Sequence, residues 1–200
     1  MTTSAASPPV FRTCPATGRR VHLPAERLIK VHAVSSVVAL LVGAIAAVLL
    51  VLTRWQAVHL LPADWFYRIL GVHGMSMLIF FIIFFEMAVL IFASTVLINS
   101  RQPALRTSWL AYVLMLGGAL MVEWMMWSGR ADVLFTSYVP LRAAPLFYLG
   151  VILFAVGALI TVGIFFASLV IAKREGRHEG SLPLVVYGAM TAAIIAVISS

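Results

Sequence analysis

The chain has 200 residues, of which 62% are hydrophobic and 10% are charged, and its formal net charge is +7. A mean hydropathy of +1.06 excludes an ordinary water-soluble domain and indicates an integral membrane protein. Because Cys14 is the single cysteine, these residues cannot form an internal disulfide or a metal site built from several cysteines.

The first 28 residues are polar and rich in proline, with Pro8, Pro9, Pro15 and Pro24. The first apolar run starts only near residue 31, so this segment is not a cleavable signal peptide at the extreme N-terminus. We predict a loosely ordered, cytoplasmic N-terminal tail over residues 1–28.

Five long apolar stretches follow the tail, and each is nearly free of charge. A spanning helix needs roughly 20 residues, which every stretch can supply, although the last is at the short limit. None of them shows the alternation of a transmembrane barrel strand. The sequence therefore predicts an all-α, polytopic transmembrane helix bundle over residues 29–200. The predicted helices are 29–53, 69–98, 107–128, 144–172 and 182–200.

The basic residues divide unequally between the two sides of the predicted bundle. Ten of the 14 Lys and Arg residues lie in the tail or in loops on its side, Arg177 among them, and four lie on the other side: Arg54, Arg68, Arg130 and Arg142. The positive-inside rule then places the N-terminus in the cytoplasm and segments 54–68 and 129–142 outside. The net positive charge reflects this topology. Outside the predicted spans the sequence has no basic stripe with interleaved aromatic residues, so it does not predict a nucleic-acid partner.

His73 lies about 5 Å below the outer end of the second predicted helix. An ionisable side chain is costly in the hydrocarbon layer, so it often marks a cofactor, an ion path or a polar partner. Its helical face combines one possible metal ligand with large apolar side chains, as the edge of a buried haem requires. That face continues through Ser76, Met77, Phe80, Phe84 and Met87. The alternatives are a histidine that only donates a hydrogen bond and ordinary helix packing.

Two glutamates also lie within the predicted spans. Glu86 is turned roughly 140° from His73 and lies some 20 Å deeper, so it cannot serve the same site directly. It is a candidate for a proton path or a hydrogen-bonded packing residue. Glu123, near the outer end of the third helix, is predicted to pair with Arg130. The remaining histidines are predicted to be interfacial or solvated: His22, His32, His59 and His178.

A resemblance to a known family adds to this interpretation. The segment from Ala131 to Leu141, followed by Phe147-Tyr148-Leu149-Gly150, resembles the junction of helices three and four in haem-copper oxidase subunit I. That junction reads approximately T-x-Y-P-P-L and then F-Y-L-G, and Val139 here replaces the first proline. His73-Gly74, with the Met and Phe residues after it, resembles the helix-two motif that supplies an axial ligand of the low-spin haem. The match extends from Arg27 onward.

Differences from the family's A-type branch indicate the B-type branch. The A-type oxidases carry a G-G-F-G-N stretch late in helix two and an acidic residue in the next cytoplasmic loop. Segment 87–98 lacks those glycines, and segment 99–108 contains no Asp or Glu. In nitric oxide reductases and C-type oxidases the histidine stands in a different context. The resemblance therefore favours a B-type oxidase, which takes up protons by a different route.

The resemblance implies specific cofactors and a larger protein. His73 would be an axial iron ligand of a low-spin haem of b or a type, Ser76 and Met77 would border that haem, and Tyr138 would lie near its outer edge. The high-spin haem, the copper ion and their ligands would come from later helices. We therefore expect helices one to five of a subunit with twelve or more helices, truncated and inactive alone, or else a split subunit.

The implied activity is the reduction of O2 to water at a bacterial or archaeal plasma membrane, coupled to proton uptake or translocation. Electrons would come from cytochrome c or a small copper protein through a copper-bearing subunit II. One alternative is a nitric oxide reductase of the same superfamily. The other is a small transporter or scaffold subunit without haem, in which His73, Glu86 and Glu123 serve packing or ion passage.

Overall fold

The computed structural model describes residues 10–133, 138–176 and 180–199. Helices dominate these residues, and the all-α prediction is confirmed. The helices are α1 Leu23–Arg54, α2 Ala63–Gly74, α3 Ile82–Phe92, α4 Leu105–Trp127, α5 Pro145–Arg174 and α6 Leu184–Ser199. The π-helical segment Met75–Phe81 joins α2 to α3, and a second one, Ala93–Leu97, extends α3, so that one continuous helix runs from Ala63 to Leu97. We call this element the second helix.

Four of these helices are long and apolar enough to cross a membrane: α1, the second helix, α4 and α5. The apolar helix near the C-terminus, Leu184–Ile198, is shorter than the usual span. The first two helices begin six residues earlier than predicted, at Leu23 and Ala63. Pro24 and Asp64 explain this, because proline and acidic residues are favourable in the first helical turn even where they interrupt an apolar run.

A short β-hairpin precedes α1 and replaces the loosely ordered tail predicted up to residue 28. Strands β1, Phe11–Thr13, and β2, Arg20–His22, pair in antiparallel fashion. An ion pair of 2.8 Å joins Arg12 to Glu26 of α1, and Arg19 donates to the Leu97 carbonyl oxygen at 3.2 Å. These contacts order the hairpin against the helix ends, whereas residues 1–9 lie outside the described residues.

His22 ties this hairpin to the loop that precedes α4. The backbone N–H of Gln102 donates to His22 Nδ1 at 3.3 Å, and the His22 ring packs against Phe11. Burial, and then the charge of Arg101, lowers the pKa of the His22 imidazole below its ordinary value. The neutral ring is therefore the form that the fold stabilises, because a protonated Nδ1 cannot accept the hydrogen bond.

This linkage predicts that the hairpin loosens on acidification. A depressed folded-state pKa contributes stability above about pH 6.5, and that contribution is lost as the pH falls through the folded-state pKa. We expect proteolysis within residues 11–22 to accelerate between pH 7 and pH 5. His22→Gln, whose amide oxygen can accept the same bond without titrating, should remove this dependence. An unchanged pH profile in that variant would contradict the assignment.

The α4–α5 pair is held by close backbone contact at glycines. A Cβ atom on Gly118 would meet the Gly150 carbonyl oxygen, and one on Gly157 would lie 2.5 Å from the Ala111 carbonyl oxygen. Small residues at such positions let two membrane helices approach closely, so dispersion contacts can hold them together. Between Gly150 and Gly157, the Phe154 ring lies 5.1 Å from that of Phe80 and 5.4 Å from that of Phe84.

The π-helical segments alter the direction in which side chains of the second helix point. Bonds from residue i to i+5 turn the chain less per residue than α-helical bonds do. The roughly 140° offset predicted between His73 and Glu86 assumed uniform α-helix, so the seven residues Met75–Phe81 invalidate that angle. Near the end of this segment, the Phe81 carbonyl oxygen accepts a hydrogen bond from Ser36 of α1 at 3.0 Å. The segment is therefore anchored to α1.

Candidate functional site

His73 lies in the last turn of α2, just before the first π-helical segment. It is partly buried, and its Nδ1 atom lies 2.9 Å from the carbonyl oxygen of Gly43 in α1. Within the described part of the chain, its Nε2 atom makes no hydrogen bond. The ring is thus held from one side only.

This contact determines which tautomer the neutral ring adopts. A carbonyl oxygen can only accept, so Nδ1 must carry the proton and donate it to Gly43. In a neutral imidazole, Nε2 then keeps its lone pair. Metal-binding histidines commonly donate their other ring N–H to a carbonyl or carboxylate, which fixes the tautomer and the ring orientation. In this tautomer, Nε2 is the ring nitrogen that can bind a metal.

Gly43 was not recognised in the sequence, where it is one small residue among many in an apolar helix. A Cβ atom there would lie 2.5 Å from Cγ and 2.6 Å from Sδ of Met77, and 3.4 Å from Cβ of Ser76. A side chain at position 43 would therefore displace that of Met77, so glycine lets Met77 and Ser76 pack directly against α1 at this height. Its backbone gathers three of the predicted site residues, His73, Ser76 and Met77, around one point.

Ser76 links this group to α4. Its hydroxyl group donates to Glu123 Oε1 at 2.6 Å, and the indole N–H of Trp127 donates to Glu123 Oε2 at 3.1 Å. The predicted ion pair between Glu123 and Arg130 is absent from the described residues. Seven residues separate the two, and α4 ends between them at Trp127, so the partners are a hydroxyl and an indole instead.

The apolar part of the predicted haem-facing stripe lies in the protein core. Phe80, Phe84 and Met87 are at most 3% exposed, and the two Phe rings contact Phe154 of α5. Ordinary helix packing, the alternative to a cofactor wall, accounts for these three residues.

The other two predicted site residues lie apart from the His73 group. Tyr138 is 73% exposed in the connection between α4 and α5, and Glu86 is in α3, three turns further along the second helix. Glu86 Oε1 is buried and has no hydrogen-bond partner within the described residues. The motif residues 134–137 that precede Tyr138 lie outside the described residues, as do Arg177 and His178.

His32 differs from its predicted interfacial position. It is fully buried, donates from Nδ1 to the Leu28 carbonyl oxygen at 2.8 Å and packs its ring against Tyr112. The early start of α1 explains this, because it places His32 more than two turns inside the helix. His59 is exposed in the loop between α1 and α2, in agreement with its prediction.

The described residues contain no group of three or more His, Cys, Asp and Glu side chains that could enclose a metal ion. A haem iron requires less, because the macrocycle supplies four ligands and the protein needs one axial imidazole on each side. The Nε2 lone pair of His73 fits such a group.

Comparison with known proteins gives one family. Residues 27–200 match the sequence model of the family described as Cytochrome C and Quinol oxidase polypeptide I. No curated protein matches the chain. The family match covers all the helices except the first four residues of α1 and so includes His73, Gly43 and Glu123.

Proposed function

The chain belongs to the family of cytochrome c and quinol oxidase polypeptide I, and from that membership we propose that it forms the N-terminal helices of the catalytic subunit of a terminal oxidase. The proposed reaction is the reduction of O2 to water, and the proposed branch is the B type. The missing glycines in segment 87–98 and the absence of acidic residues from segment 99–108 support that branch. Membership of an oxidoreductase family disfavours the transporter or scaffold alternative.

The proposed role of His73 is to bind the iron of a low-spin haem as an axial ligand. The observation that carries this proposal is the 2.9 Å hydrogen bond to the Gly43 carbonyl oxygen, which in the neutral ring leaves the lone pair on Nε2. When bound, such a haem supplies reversible one-electron transfer. The protein orients the imidazole through Gly43 and restricts the ring by packing α1 against the second helix. A second axial ligand would come from a helix beyond these residues.

The remaining site residues have lesser proposed roles. Ser76 and Met77 would border the haem, because they share with His73 the close approach to Gly43. Tyr138 would contact the outer edge of the cofactor, and its exposure leaves it free to do so. Glu86 would take part in a proton path, which agrees with its buried, unpartnered Oε1 atom.

The proposed setting is a bacterial or archaeal plasma membrane with the N-terminus in the cytoplasm. Segments 54–68 and 129–142 would then face outward, toward a copper-bearing subunit II and its donor, cytochrome c or a small copper protein. Exposed aromatic side chains at this end, Trp55, Trp65 and Trp124, support an interfacial position. The high-spin haem and copper would bind residues of later helices.

A direct test measures gas consumption by the complete, purified complex. With reduced cytochrome c as donor, we expect O2 consumption that is several times faster than anaerobic NO consumption. Glu86→Gln should slow O2 turnover if this carboxyl group conducts protons. Rapid NO reduction without O2 consumption would instead identify a nitric oxide reductase, and the absence of both activities in a haem-loaded complex would overturn the oxidase proposal.

A further inference from the structure

Ser76 is the residue through which the surroundings of His73 contact α4. It lies at the start of the π-helical segment Met75–Phe81 and is 1% exposed. Its Cβ atom lies 3.4 Å from the position that a Cβ atom would take at Gly43, whose carbonyl oxygen accepts the hydrogen bond from His73. Its hydroxyl group reaches Glu123 of α4. The Ser76 side chain therefore lies between α1 and α4.

The hydroxyl group of Ser76 bonds to a neighbouring helix rather than to its own. A serine within a helix often donates to the carbonyl oxygen four residues earlier. Ser94, further along the second helix, does so, to the Leu90 carbonyl oxygen at 2.9 Å. Ser76 instead donates to Glu123 Oε1 at 2.6 Å. This bond ties the second helix to α4 just after His73.

Glu123 is itself held in place from within α4. The indole N–H of Trp127, one turn later in the same helix, donates to Glu123 Oε2 at 3.1 Å, so each carboxyl oxygen has one partner. An indole can only donate, but a serine hydroxyl can donate or accept. An amide at position 123 could therefore accept from Trp127 and donate to Ser76. The arrangement requires two polar atoms in this geometry and no particular charge.

A second serine holds the other end of the π-helical segment. Ser36 of α1 donates to the Phe81 carbonyl oxygen at 3.0 Å. The segment is thus tied to α4 near its first residue and to α1 at its last. Because π-helical and α-helical bonding rotate the chain by different angles per residue, a change of bonding here would turn α2 about its axis relative to α3. That rotation would move the His73 ring away from the Gly43 carbonyl oxygen.

We propose that Glu123 is a positioning residue for the His73 imidazole. By accepting hydrogen bonds from Ser76 and Trp127, it fixes the rotation of the second helix and with it the plane of the ring. Groups outside the ligand set of a metal commonly orient the ligands in this way. The inference rests on the proposed role of His73 as an axial ligand of haem iron, and it adds a residue of α4 to the determinants of that site.

The test is electron paramagnetic resonance of the complete, oxidised complex, because the low-spin ferric haem signal depends on the orientation of its axial imidazole ligands. Glu123→Leu removes both hydrogen bonds and retains a side chain of similar size. We expect it to shift and broaden the low-spin signal without loss of haem. Ser76→Ala should produce the same shift, and the double variant should show no further shift, because the two residues act as a unit. If Glu123→Leu does not assemble, Ser76→Ala carries the test, since it removes a single oxygen atom.

Two controls separate positioning from packing. Glu123→Gln retains both hydrogen bonds and should keep the wild-type signal. Ser94→Ala removes a buried hydroxyl group that bonds to its own helix, and it should also leave the signal unchanged. A wild-type signal in Glu123→Leu and Ser76→Ala, whatever their Tm, would overturn the inference, and so would an equal shift in either control. A wild-type complex without any low-spin haem signal would overturn the proposed function as well.

Discussion

Replacing His73 with alanine should abolish the low-spin haem band in the reduced-minus-oxidised spectrum of the complete complex. The proposed iron site takes a single ligand from these helices, and the described residues offer no second imidazole at the same Gly43 contact. A low-spin, six-coordinate iron needs two strong axial ligands, so the loss of one removes the spectral signature of the pair. We expect complete loss of this band rather than a shift.

The control for this experiment is another histidine of the same chain. His59 lies in the exposed loop after α1 with a φ angle of +42°, a backbone conformation that asparagine tolerates better than alanine does. His59→Asn should therefore preserve both the fold and the spectrum. A His73→Ala complex that assembles and keeps its low-spin band would exclude the axial-ligand role. A band lost equally in both variants would indicate misfolding rather than ligation.

The sequence was sufficient to predict an all-α membrane protein and to select His73 as a candidate ligand. Runs that lack charge must be buried in lipid or protein, and a histidine within such a run needs a partner, so both inferences follow from solvation alone. The helix ends were less predictable, because Pro24 and Asp64 look like interruptions although they are favourable in a first turn. Solvation does not report how the ends of a helix are capped.

The detailed geometry of the site could not be predicted for a different reason. The angle around the helix axis between His73 and Glu86 depends on a π-helical segment. Nothing in the amino-acid sequence from Met75 to Phe81 distinguishes that segment from an α-helix. The importance of Gly43 depends on which residue α1 presents to the second helix, and that pairing is a property of the tertiary packing. Glu123 likewise obtains its partners from a neighbouring helix and from its own last turn rather than from Arg130.

The second large expected effect is a loss of stability when one of two adjacent glycines of α4 is replaced. Gly118→Ala should destabilise the helical bundle by about 3 kcal/mol, the upper part of the usual range for overpacking. Its new Cβ atom would meet the Gly150 carbonyl oxygen and lie 2.7 Å from the Phe154 backbone nitrogen, and backbone atoms cannot rotate away as a flexible side chain can. The loss should appear as a lower Tm of the purified complex and as weaker α4–α5 association in detergent.

Gly117 provides the matched control, because a Cβ atom there meets nothing within 4 Å. Gly117→Ala should therefore be neutral or should stabilise α4 by up to about 1 kcal/mol through the better helix propensity of alanine. The same substitution at neighbouring positions thus has opposite expected signs, which separates packing against α5 from any general effect on the helix. If the two variants had equal Tm values, α4 and α5 would not be held by backbone contact at Gly118 and Gly150.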